Sequence, residues 1–195
     1  MSKNRLEAFS DGVLAIIITI MVLELKVPHG DQLSDLLPLW PVLLSYVLSF
    51  TFVGIYWNNH HHMLHAIQHV SGSVLLANLG LLFWLSLIPF ATGWMGENHF
   101  APVPVAFYGL LQLMAATFYW VLQQRCIATQ GANSLLQQAI GNDWKGKISL
   151  LAFAVAVALS FIHTGLALAV YGGISVMWLI PDRRIERALR AARTG

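Results

Sequence analysis

Histidine and aspartate occupy the positions where this chain could do chemistry. His60, His61, His62, His65 and His69 crowd a single stretch. His61, His65 and His69 are spaced four apart and share a face if the stretch is helical. Two histidines at that spacing can chelate a metal ion. Three stacked over two turns span about 12 Å at the helical rise, too far for one ion. A chelate from His61 and His65 therefore stays open, as does a polar network or pH-sensing role. The plainer reading is a helix end at the membrane surface, where imidazole suits the negative end of the helix dipole. That reading assigns no metal ligand and no bound cofactor.

Asp11 lies about two helical turns inside an apolar segment, next to Phe9 and Ser10. A charge deep in a membrane helix costs about 2.5–3.5 kcal/mol on insertion scales, so such a residue is usually paired or functional. The alternative is an interfacial carboxylate that meets water. No enzyme is predicted. The chain has one histidine cluster where membrane desaturases need several, and it lacks paired carboxylates, a Ser-His-Asp arrangement and a phosphate loop. His163 is isolated and reads as a surface residue. Cys126 is the only cysteine, which excludes a disulfide framework and a cysteine-based zinc site.

The elements that must position these groups are membrane helices. Of 195 residues, 57% are hydrophobic and only 10% are charged. Soluble domains average about 45–50% apolar and about 25% charged, and so few charges could not solvate a soluble surface of this size. A spanning helix needs about 20 mostly apolar residues. Six such stretches are predicted, at about 5–27, 36–64, 73–95, 101–124, 144–162 and 164–180. Pro38 and Pro41 fall near the start of the second, where proline is tolerated, and Pro89 predicts a kink in the third. The whole chain, 1–195, reads as one all-α transmembrane domain with an uncleaved first helix.

The formal charge of +2 does not suggest a nucleic-acid partner, but its distribution sets an orientation. Lys3, Arg5, Arg125, Lys145, Lys147 and the tail arginines Arg183, Arg184, Arg187, Arg190 and Arg193 fall on one side of the predicted topology. Lys26, Asp31, Asp35 and Glu97 fall on the other. The positive-inside rule then places both termini in the cytoplasm of a multi-pass protein of the cell membrane. Gln123 to Asn142 reads as a cytoplasmic linker, partly helical. Residues 181–193 read as a basic amphipathic helix lying on anionic lipid. No helix carries arginine at every third position, which argues against voltage gating.

The first helix also carries an apolar stripe. Ile16, Ile20 and Leu23 fall at i, i+4 and i+7, with Thr19 the only hydroxyl beside them. Taken alone, the stripe is ordinary packing or lipid contact. Its context is more specific. Arg5-x-x-x-Phe9-Ser10-Asp11-Gly12, followed by Ala15-Ile16 and Thr19, resembles the signature of the transmembrane protein 175 family of potassium-permeable channels. Trp57-Asn-Asn-His60-His61 resembles that family's Trp-x-x-His-His. Asn78-Leu79 and Ile88-Pro89-Phe90 resemble its Asn-Leu…Pro-Phe run. The resemblance covers roughly residues 5–92, and the later helices match only in hydropathy and spacing. His62 departs from the pattern, since many relatives carry Arg there.

The resemblance implies a homotetrameric channel for potassium and other monovalent cations. Bacterial members carry one six-helix repeat, whereas the animal protein carries two and works as a dimer. The first helix would line the pore. Ile16 would form a hydrophobic constriction, with Thr19, Ile20 and Leu23 along the path. Arg5, Phe9, Ser10 and Asp11 would belong to a polar network with Trp57, His60 and His61 that holds this helix. A ring of isoleucines can close a pore by dewetting. No Thr-Val-Gly-Tyr-Gly filter is present, so selectivity should be modest. The competing functions are a proton- or metal-linked transporter using Asp11 and the His60–His69 cluster, and a membrane assembly protein without transport.

Overall fold

A computed structural model describes residues 2–131, 135–141 and 143–180. All its regular elements are helical. They are α1 (Lys3–Leu23), a 3-10 segment (Leu33–Leu39), α2 (Trp40–His65), α3 (Gly72–Ser86), α4 (Ile88–Glu97), α5 (Pro102–Gln130), α6 (Leu135–Ile140), α7 (Trp144–Leu159) and α8 (Thr164–Leu179). Four segments are long and apolar enough to cross a membrane: Lys3–Leu23, Leu33–His65, Gly72–Glu97 and Pro102–Gln130. The helices α7 and α8 complete a six-segment bundle. Each has 16 residues, or about 24 Å at the helical rise, somewhat less than the ~30 Å hydrocarbon core. The basic tail lies outside the described residues.

Several boundaries have local causes. Helix α1 stops at Leu23, short of Val27. Glu24 and Lys26 follow, and Pro28 disfavours helical backbone at the residue before it. Lys26 instead forms a 2.8 Å ion pair with Glu97 at the end of α4, and this carboxylate raises the Lys26 ammonium above its ordinary pKa. The third apolar stretch is interrupted at Leu87, two residues before Pro89. Proline has no N–H to donate and its ring crowds the preceding turn. Ser86 Oγ donates to the Phe83 carbonyl at this break (2.7 Å). Helix α5 continues past Gln124 to Gln130 and ends at Gly131, whose φ of +91° suits glycine. The first part of the expected linker is thus helix, and α6 follows it.

The packing is centred on α2 and α5. Helix α3 packs along α5, α5 along α7, α2 along α4, and α7 along α8. Helix α1 lies against α2, with further contacts to α3 and α4. Lipid is as apolar as leucine, so close packing and internal hydrogen bonds must hold such helices together. Aromatic contacts join four of them: Phe52 to Phe153 (5.7 Å), Phe153 to Tyr171 (6.1 Å) and Tyr171 to Tyr108 (5.6 Å). Gly96 lets α4 approach α2, since a Cβ there would come 2.7 Å from the Val42 Cα. A buried polar chain adds direction. Thr92 Oγ1 donates to Ser49 Oγ (2.7 Å), Ser49 to the Tyr108 hydroxyl (3.2 Å), and Gln112 Nε2 to the same hydroxyl (3.0 Å).

Candidate functional site: the two faces of the first helix

Helix α1 has a held face and an uncovered face. Leu6, Ser10, Leu14, Ile17 and Met21 are buried and follow the i, i+4, i+8 rhythm of one helical side. Ile16, Thr19, Ile20 and Leu23 are exposed on the other side, Ile16 by 58% and Leu23 by 81%. From Phe9 to Leu23 this face carries no charge, and Arg5, one turn before Phe9, stands at its N-terminal end. Thr19 Oγ1 donates to the Ile16 carbonyl (2.9 Å), which commits its proton and leaves the oxygen free to accept. Ala8, Gly12 and Ala15 are exposed as well, so one strip of the uncovered face is lined by small residues.

The held face is fixed by neutral hydrogen bonds. Ser10 Oγ donates to the Leu6 carbonyl (2.9 Å) and accepts from Asn78 Nδ2 (3.0 Å). Asn78 Oδ1 lies 2.7 Å from His60 Nε2. The sense of the chain follows from this order. The Asn78 amide presents its NH2 to Ser10 and its oxygen to His60, so His60 Nε2 carries the proton and donates. His60 Nδ1 is buried and has no hydrogen-bond partner among the described residues. A bare acceptor there is the tolerable choice, because a second buried N–H would be stranded. Helices α1, α2 and α3 meet at this point.

Asp11 sits at the edge of the held face and is half-buried. Its Oδ1 accepts from Trp57 Nε1 at 3.0 Å. One turn earlier on α1, Glu7 Oε1 lies 3.3 Å from His61 Nδ1 and 3.5 Å from His65 Nδ1. Glu7 and Asp11 are four apart on α1, and His61 and Trp57 are four apart on α2. The two helices therefore run antiparallel with matched polar registers. The Trp57 and His61 rings stack with centroids 6.2 Å apart.

The structure thus brings Ser10 and His60 together through Asn78, and Asp11 together with Trp57. It gathers His61 to Glu7 instead of to Asp11. Arg5 and Phe9 are exposed, and Arg5 forms no ion pair among the described residues. Two participants were not foreseen as site residues. Asn78 entered only as part of a motif, and Glu7 was not singled out. Neither has a spacing signal in sequence, since each acts across helices.

A sequence profile described as the endosomal/lysosomal potassium channel TMEM175 matches residues 5–89. A Chryseobacterium protein named as a potassium channel is 52% identical over 190 residues, covering 97% of this chain and 99% of the relative. A Chamaesiphon minutus protein, also named as a potassium channel, is 33% identical over 86% of this chain and 88% of its own length. The crystal structure of a lysosomal potassium-selective channel TMEM175 homologue from that organism superposes with a TM-score of 0.82. It is 29% identical and covers 92% of this chain and 97% of that one. The human endosomal/lysosomal proton channel TMEM175 is 36% identical over 43% of this chain, which corresponds to 19% of the human protein.

Proposed function

The chain belongs to the TMEM175 potassium channel family, and from that premise we propose that it is a potassium-permeable channel subunit of the cell membrane. Four copies would each contribute α1 to one central pore. The supporting observation is the division of α1 into two faces. One is tied down by Ser10–Asn78–His60 and Asp11–Trp57. The other is uncharged from Phe9 to Leu23, apolar there except for Thr19, and left uncovered by the rest of the chain. A six-helix chain is small to enclose an aqueous path of its own, and a shared axis is the economical arrangement. Small residues at Ala8, Gly12 and Ala15 favour close approach of helices in a membrane.

In this arrangement Ile16 forms the narrowest ring and Ile20 and Leu23 continue the lining. Thr19 presents an oxygen to the passing ion. A hydrophobic constriction gates by dewetting and discriminates modestly between monovalent cations. Both termini lie in the cytoplasm, in accord with the distribution of Lys and Arg.

Single-channel recording of purified protein in a planar bilayer tests this reading. Discrete, passive potassium currents are expected, with no coupling to a second ion. Saturable flux that depends on a proton or metal gradient would instead favour a transporter.

A further inference from the structure

We propose that Glu7, His61 and His65 form a binding site for a zinc-class divalent metal ion that ties the start of α1 to the end of α2. The site is assembled from two elements. Glu7 comes from the first turns of α1, and the histidines occupy the last turns of α2 at the i, i+4 spacing that turns two imidazoles to one side. One ligand atom from each residue lies within 4.8 Å of the other two. Glu7 Oε1 is 3.3 Å from His61 Nδ1 and 3.5 Å from His65 Nδ1. Donors bound to zinc at ~2.0–2.1 Å in a tetrahedron stand about 3.3–3.4 Å apart along each edge. Two of the three edges therefore already have the length that a metal would impose, and closing the third is a matter of turning two partly exposed imidazoles.

The donor set selects the ion class. Two imidazoles and one carboxylate suit zinc, nickel or cobalt, whereas magnesium and calcium take oxygen ligands and copper(I) favours thiolates. His65 is exposed, so water can reach a bound ion and supply a fourth ligand. Burial is graded. The Glu7 side chain is 19% exposed, and those of His61 and His65 are 39% and 45% exposed, so an ion can enter from water and still meet a carboxylate held in place. Lys3 Nζ lies 3.4 Å from the His65 carbonyl, and its charge opposes that of the bound ion. The affinity should therefore be below that of a closed structural zinc site. A bound ion would extend the Asp11–Trp57 clasp by one helical turn and restrain the helix proposed above to line the pore.

Zinc chloride titrated calorimetrically into full-length, chelator-stripped protein in detergent reads the site without any ion flux, so its failure is distinct from failure of the pore assignment. One zinc per chain is expected, with a raised thermal midpoint. His65→Ala and Glu7→Gln should each weaken binding at least about tenfold, the lower end of what loss of even an outer partner of a metal ligand costs. His69→Ala should leave binding intact. No saturable uptake would reduce the cluster to a carboxylate–imidazole ion pair and overturn the proposal. Uptake that survives His65→Ala, or is lost in His69→Ala, would place the ion on other histidines and overturn it equally.

Discussion

Asn78 Oδ1 and His60 Nε2 lie 2.7 Å apart inside the bundle, and the same amide donates to Ser10 on α1. A single side chain on α3 thereby sets the position of α1 relative to α2. Both of its partners are buried.

Replacing Asn78 with Leu keeps the branched shape of the side chain and strands the His60 N–H. A buried donor without a partner costs about 1–3 kcal/mol. At about 2–4 °C per kcal/mol for a chain of this size, Asn78→Leu should lower the thermal midpoint by several degrees. Leu79→Ala, at an exposed position on the same helix, should change it little. Equal midpoints for Asn78→Leu and wild type would remove Asn78 from its role as the hub.

Asp11→Ala should weaken the assembly and reduce conductance more than Val13→Ala. The carboxylate is half-buried and its partner is the neutral Trp57 indole. The loss should thus resemble that of one charge-assisted hydrogen bond, about 1.5–3 kcal/mol, and fall short of the ~3–5 kcal/mol of a broken buried ion pair. Size-exclusion chromatography of both variants, followed by recording in bilayers, reads this. Asp11→Ala protein that assembles and conducts like wild type would leave Asp11 as an interfacial carboxylate only.

Orientation is read by an impermeant thiol reagent in intact cells. Asn98→Cys should be labelled and Thr194→Cys protected, since Glu97 and Lys26 belong to the poorly basic side and the tail to the strongly basic one. The native Cys126 is buried and should stay silent. The reverse pattern would invert the topology.

What could be read without coordinates follows physical scale. Length and hydropathy suffice to indicate an all-α bundle, because apolar stretches of membrane length leave little choice. A carboxylate in an apolar segment asks only for some donor nearby; it is the family resemblance that puts Trp57 among the partners of Asp11. Neutral groups were harder to place. Thr92, Ser49, Tyr108 and Gln112 form a buried chain, yet a lone hydroxyl or amide barely alters the hydropathy of its helix. Glu7 meets His61 only because α1 and α2 are antiparallel in matched register, and no local spacing encodes that. Helix ends moved for local reasons as well: Pro28 limits the end of α1, and α5 runs on to Gln130 until Gly131, with its positive φ, ends it.

The most direct measurement compares Ile16→Asn with Ile18→Asn in single-channel recordings under potassium and sodium. Ile16 lies on the uncovered face of α1, and Ile18 packs against the chain's own core. An amide at the constriction should keep it wet, so Ile16→Asn should raise conductance and weaken the preference for potassium, while Ile18→Asn leaves both near wild type. Unchanged conductance and selectivity in Ile16→Asn, together with altered values in Ile18→Asn, would contradict a pore lined by this face of the first helix.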